Sequence, residues 1–303
     1  MIQAIKNLLR EKSNLYDFKY IDPGQIDEFP NGMKDMHVRK FDGMIIKGFL
    51  SPSEIESIKN GFNELPKEDL VHIKEGRAYP PVFAQVLRNV EGKPDDVNNI
   101  GKFTDYFAKC ESYSNSFSKK FGVDFKQKIE DVFSRMGGGR SVDVPKGFNG
   151  QGRYTFCTMR CLIPETGEMS VHTGNYFRES CSEFYEHLET QVKTYDQLSF
   201  FVTLQKAEAG GGLTLYDIEW KGGQTKDNPG ENRYVRDVDG KLIDIQSVGR
   251  KTLTLTPEAG DLLLFNGAQI WHRVEIVKGQ RDRMTIGGFI GFSEDDKEIL
   301  YWS

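Results

Sequence analysis

The sequence predicts a mainly β protein with flanking helices, built on a double-stranded β-helix of the jelly-roll, cupin-like kind. Three observations point there. Short β-prone runs separated by glycine or polar turns fill the chain after residue 150, the pattern of an antiparallel sandwich or barrel. Segments with helical spacing lie mostly in the first half. With 303 residues, 38% hydrophobic and 28% charged, the chain has an ordinary globular composition and the length of one large domain. The expectation is therefore one domain over 1–303. Residues 1–150 form a mostly helical part with a lid, and 151–303 form the jelly roll.

Residues 2–9 carry Ile2, Ile5, Leu8 and Leu9 on one face of a short helix. Pro23-Gly24 and Pro30-Asn31-Gly32 mark turns, and Phe41–Phe49 reads as a buried strand. Ser51-Pro52-Ser53-Glu54 has the spacing of a capping box with proline at the first helical position. Ile55, Ile58, Phe62 and Leu65 then give a helix. Residues 66–100 read as a loop-rich insertion, the lid, and Phe103–Arg135 as one or two helices ended by Gly137-Gly138-Gly139. The strand series runs through Tyr154–Leu162, Glu168–His172, Leu198–Leu204, Leu213–Asp217, Thr252–Thr256, Leu262–Phe265, His272–Val277 and Arg283–Phe292. A helix over Glu183–Lys193 interrupts it.

The net charge of −5 argues against a nucleic-acid partner, whose recognition concentrates positive charge. Cys110, Cys157, Cys161 and Cys181 contain no C-x-x-C pair and read as reduced thiols, not zinc ligands. The first ten residues are too short and polar for a signal peptide or membrane span, so a cytoplasmic protein is expected.

Five histidines are present, and His37, His72 and His187 read as ordinary core or surface residues, His187 as solvated in its charged surroundings. His172 and His272 lie at strand ends in the β-rich half, where a jelly roll brings distant segments together in its mouth. Neutral imidazole is the ligand form at pH 7. The usual mononuclear iron(II) site adds a carboxylate to two histidines, but the carboxylate position of His172-x-Asp is Gly174. Downstream, Arg281, Arg283 and Thr285 share one side of a strand, and an arginine there can clamp a carboxylate with two parallel hydrogen bonds. Arg283 is the first choice, because Arg281 lies nearer the turn. Arg160 either supports the same dicarboxylate or pairs with an acidic residue. Met169 and Val171 flank His172 as pocket-lining candidates or plain core.

Together these residues resemble the iron(II)- and 2-oxoglutarate-dependent oxygenase superfamily and, within it, the aliphatic halogenases. The resemblance is to the carrier-protein-independent group of welwitindolinone- and hapalindole-type alkaloid pathways. It is carried by Phe41–Ile46, Val171–Asn175, Asp196–Ser199, Glu208–Gly211, Leu255–Asp261, His272–Val274, Thr285–Phe289 and Tyr301–Ser303, thinly between 60 and 150. It implies His172 and His272 as iron ligands, Gly174 as the halide position and Arg283 as the 2-oxoglutarate clamp, with Arg281, Arg160 and Thr285 in support. It also implies iron(II), 2-oxoglutarate, chloride and O2 as cofactors, a ferryl intermediate, and a freestanding small-molecule substrate without carrier protein, nucleic acid or membrane. The charge count agrees. Iron(II) with two neutral imidazoles and 2-oxoglutarate is neutral, so chloride at Gly174 restores the single negative charge that an aspartate would bring. Ser199, on the strand face of Phe201 and Thr203, either turns the oxidant toward the halide outcome or simply bonds backbone. The alternatives are a 2-oxoglutarate-dependent hydroxylase, desaturase or cyclase, with water or Glu168 or Glu179 at the metal, and a cupin-like binding module.

Overall fold

Strand Leu262–Phe265 is buried along its whole length because both its faces are covered. Leu262 and Leu264 join one core and Leu263 and Phe265 the other, which explains an uninterrupted apolar run. The computed structural model describes residues 15–73, 75–81, 97–182, 185–226, 234–247 and 249–303.

A ten-stranded sheet runs, in spatial order, through Phe18–Ile21, Gly43–Ile46, Leu262–Phe265, Leu198–Gln205, Arg283–Phe292, Thr158–Leu162, Gly76–Tyr79 and Val71–Ile73. Glu298–Trp302 pairs with the end of Arg283–Phe292, and Ser141–Asp143 joins it in parallel. Facing it is a four-stranded sheet ordered Thr252–Leu255, Leu213–Glu219, Ile270–Val274 and Met169–His172. Between them lies a core of Ile45, Leu263 and Phe265 against Leu213, Leu215, Leu255 and Val274. The fold is therefore mostly β, with the facing sheets expected of a jelly roll.

Helices α1 (Gly32–His37), α2 (Pro52–Asn63), α3 (Val97–Phe121) and α4 (Phe125–Arg135) precede the main strand series. Ile58, Phe62, Phe117 and Ile129 of the last three pack with Phe200, Val202 and Ile286 in the outer core of the large sheet. The capping box forms at α2: the Glu54 amide donates to Ser51 Oγ at 3.3 Å, and the Ser51 amide to Glu54 Oε2 at 2.8 Å. The outer face of the small sheet, with Val171, Tyr216, Ile218 and Trp271, is covered by Val235 and Ile245.

Three expectations change. The entry segment before the expected strand at 41–49 holds a strand of its own, Phe18–Ile21, which pairs with Gly43–Ile46 in the large sheet. Within the proposed lid, Val71–Ile73 and Gly76–Tyr79 form a hairpin on that sheet, while 82–96 lie outside the described residues, as does the 2–9 helix. No helix spans the described part of 183–193. It contains one 3-10 turn, Leu188–Thr190, and the Gln191 side chain ties its end to the Lys146 backbone. The helix between these strands is α5 (Gly174–Ser180), started by Thr173, whose Oγ1 accepts from the Tyr176 amide at 3.0 Å.

Among the described residues all four cysteines are free thiols. Burial pushes Cys110 up to about 11 and Cys161 to about 12, so they stay protonated. No helix among those residues is long and apolar enough to cross a membrane.

Candidate active site

His172 and His272 are direct partners in the antiparallel pair Met169–His172 and Ile270–Val274. Their ring centroids lie 4.3 Å apart. Each ring is held by the same local device. His172 Nδ1 lies 2.6 Å from the Ser170 carbonyl oxygen, and His272 Nδ1 lies 2.7 Å from that of Ile270. A carbonyl only accepts, so both Nδ1 atoms carry the proton and both Nε2 atoms present lone pairs. Burial, then the neighbouring His172, pushes His272 well below the usual histidine value and keeps it neutral. His272 is buried, with the Phe265 ring edge-on at 5.0 Å, whereas His172 is half-buried at the mouth. The sequence placed His272 at a strand start, but it stands in mid-strand.

The strand carrying His172 contains a β-bulge, because His272 pairs with His172 but Val274 pairs with Met169. The extra residue re-aims the side chains on either side of it. Met169 packs against the inter-sheet core, whereas Val171 is fully buried among Tyr216, Ile218 and Trp271 on the outer face. Val171 is therefore not a pocket residue. Strict alternation could not foresee this.

Gly174 opens α5 and is fixed to the Asn266–Gln269 loop, its amide donating to the Gly267 carbonyl at 3.0 Å and the Asn175 amide to that of Ala268 at 3.2 Å. A Cβ at 174 would lie 2.9 Å from Gln197 Nε2 and 3.1 Å from Ala268 Cα. The backbone there is not left-handed, so space, rather than φ, demands glycine. No third histidine, cysteine or carboxylate joins the two histidines among the described residues. Glu168 is engaged by Arg273 at 2.9 Å and Glu179 lies 3.4 Å from the Tyr195 hydroxyl, so neither supplies the missing ligand.

Arg283 starts the central strand Arg283–Phe292 and is buried, its guanidinium 5.3 Å from the Phe201 ring centroid. Thr285 sits opposite Arg160 on one side and Thr203 on the other, so these side chains form a row across three strands. Arg160 Nη1 reaches Met169 Sδ at 4.0 Å, which brings this row to the strand of His172. Neither arginine is paired with a carboxylate among the described residues. Burial, then Arg160, lowers Arg283 to about 10, and burial lowers Arg160. Two cations thus share a low-dielectric site. Like charges placed so favour an anionic partner. Arg281 is not part of it: it is exposed, on a surface groove with Pro52, Lys59 and Lys206.

Ser199 stands opposite Phe265 in the register, beside the loop that faces Gly174: a Cβ at Gly267 would meet Ser199 Oγ. His37 bonds the Asp196 backbone, and His72 is exposed. His187, expected to be solvated, is half-buried, 4.2 Å between centroids from Phe148 and 3.0 Å from the Tyr154 hydroxyl. Sequence reasoning missed Gln197, Phe265 and the Gly267-Ala268 turn. They meet Gly174 or His272 only through strand register, which leaves no local signal.

Two solved structures share the fold. The chain has a TM-score of 0.53 with an N-substituted L-amino acid dioxygenase from Burkholderia ambifaria AMMD, at 14% identity, covering 89% of this chain and 90% of that one. The same dioxygenase in complex with alpha-KG gives 0.51 at 14% identity, over 89% and 90%. No curated protein matches. The model of the family described as carrier-protein-independent halogenase WelO5 matches residues 15–303, essentially the whole described chain. The protein belongs to that family, and is an enzyme of the iron(II)/2-oxoglutarate-dependent oxygenase type.

Proposed function

We propose that the protein is a halogenase that converts an unactivated aliphatic C–H bond of a freestanding small molecule to C–Cl. One substrate C–H, one chloride, one proton, O2 and 2-oxoglutarate give the C–Cl product, succinate, CO2 and water. When bound, the iron supplies oxygen activation and hydrogen-atom abstraction, and 2-oxoglutarate supplies two of the four electrons that O2 takes up. Everything else falls to the chain.

The donor set fits. His172 and His272 offer two neutral Nε2 atoms from adjacent strands, held by backbone carbonyls. Arg283, with Arg160 and Thr285, holds the dicarboxylate, whose charge offsets the buried Arg283 and half-buried Arg160 guanidinium groups. Gly174 contributes no oxygen and no charge, leaving a third position for chloride with the net charge an aspartate would give. Met169 borders the substrate beside His172, and Ser199 orients groups on the halide side. The observation carrying this reading is Gly174 in the carboxylate place with no other acid among the described residues to replace it.

The test is product mass from candidate small-molecule substrates with iron(II), 2-oxoglutarate and O2, with and without chloride. A product gaining chlorine only with chloride is expected, and the Gly174→Asp variant is expected to lose it. Turnover that never depends on chloride refutes the reading.

A further inference from the structure

Gln197 is 1% exposed and sits against Gly174. Its Oε1 has no hydrogen-bond partner among the described residues, and it is the Nε2 end of the amide that meets Gly174. Its Nε2 lies 2.9 Å from where a side chain at 174 would begin. The flanking residues lock this approach. Asn175 Nδ2 donates to Asp196 Oδ1 at 2.9 Å, and the Asp196 amide donates to Asn175 Oδ1 at 2.9 Å. These reciprocal bonds join the residue after Gly174 to the residue before Gln197. On the far side, Gly174 is bonded to the Gly267-Ala268 turn. The backbone on both sides is thus fixed, and burial of the side chain limits its room to move, unlike the end of an exposed glutamine.

We propose that Gln197 is the specificity-determining partner of Gly174: its amide blocks any side chain at 174 and donates an N–H to the anion held in the vacated ligand position. This rests on the halogenase reading and adds to it a residue outside the metal ligands. It also explains why glycine is needed at a position where the backbone would accept other residues. An amide nitrogen only donates, and Nε2 is the atom turned to the Gly174 side.

The experiment uses the full chain with iron(II) and 2-oxoglutarate under anaerobic conditions. Chloride, then bromide, is titrated against the absorption of the iron–2-oxoglutarate complex, with the thermal midpoint of each apo variant measured alongside. In Gln197→Leu the half-saturating chloride is expected to rise about tenfold or more, the loss of one hydrogen bond to a charged partner. Affinities for iron(II) and 2-oxoglutarate should stay within about twofold of wild type. Gly174→Asp should lower the thermal midpoint, and Gly174→Asp/Gln197→Ala should recover it, a non-additivity that a merely destabilising Gln197 would not give. A wild-type protein indifferent to both halides overturns the halogenase reading and this inference together. A wild-type response with unchanged half-saturation in Gln197→Leu, or additive thermal shifts, overturns the role of Gln197 alone.

Discussion

His172 and His272, far apart in sequence, stand opposite one another across a strand pair, ring centroids 4.3 Å apart, each with Nδ1 on the carbonyl two residues before it. Backbone carbonyls orient both rings with the Nε2 lone pairs left to donate. In the proposed function these are the protein's two iron ligands, and replacing either by alanine removes half of them. Changes to groups that merely support a ligand cost 10–100-fold in metal affinity, so each variant should bind iron(II) more than about 100-fold more weakly. Anaerobic iron titration checks this, and retained affinity in both variants would remove the site.

Arg283 gives two effects of opposite sign. In the proposed function Arg283→Leu leaves the dicarboxylate without its main partner, so the 2-oxoglutarate KM should rise by the equivalent of about 2–5 kcal/mol. The same change removes an unpaired buried cation, and the apo protein should not lose stability. Arg283→Lys keeps the charge without the bidentate fork and should recover only part of the affinity. Calorimetric 2-oxoglutarate binding and apo thermal melts read the two separately.

Ser199 Oγ lies beside the loop that faces Gly174. Ser199→Ala should therefore change the ratio of chlorinated to hydroxylated product more than it changes total turnover. Mass analysis of one reaction mixture gives both, and an unchanged ratio removes Ser199 from the choice.

Val171 and Met169 separate because of the bulge. Val171→Ala should cost about 2 kcal/mol of stability, the methyl groups lost from a fully buried site, while leaving substrate KM unchanged. Met169→Ala should shift substrate KM instead. Denaturant melts with steady-state kinetics decide it, and a KM effect at Val171 would contradict the re-aimed strand.

Acid should destabilise the apo protein in a definite window. Burial is the leading cause lowering His37, His187 and His272 below the ordinary value of 6.5. Between their folded values and 6.5 the unfolded chain binds more protons, so stability rises with pH there and is complete above it. The thermal midpoint should fall as pH drops from about 7.5 to 5.5. Asp295, held at about 2 by Lys297 and Ser293, titrates well below that window. Replacing His187 by Phe should flatten the profile, and an unchanged slope would refute its share.

The sequence by itself determined the strand series, the capped helix after Ser51, the two histidines and the absent carboxylate, because residue type and short-range period express them. It also pointed to Arg283, since an arginine two residues before Thr285 on a strand must share its side. Tertiary structure alone decided which neighbours count. The bulge sent Val171 outward, a turn put Arg281 in solvent, and cross-strand register set Arg160 opposite Thr285 and Ser199 opposite Phe265. It also brought Gln197 and the Ala268 turn against Gly174. Register and bulges depend on how many residues lie between pairing points, and a one-residue slip reverses a side chain's face. Gly174 is thus visible in the sequence as a missing ligand, and only the fold shows it as a space closed on two sides.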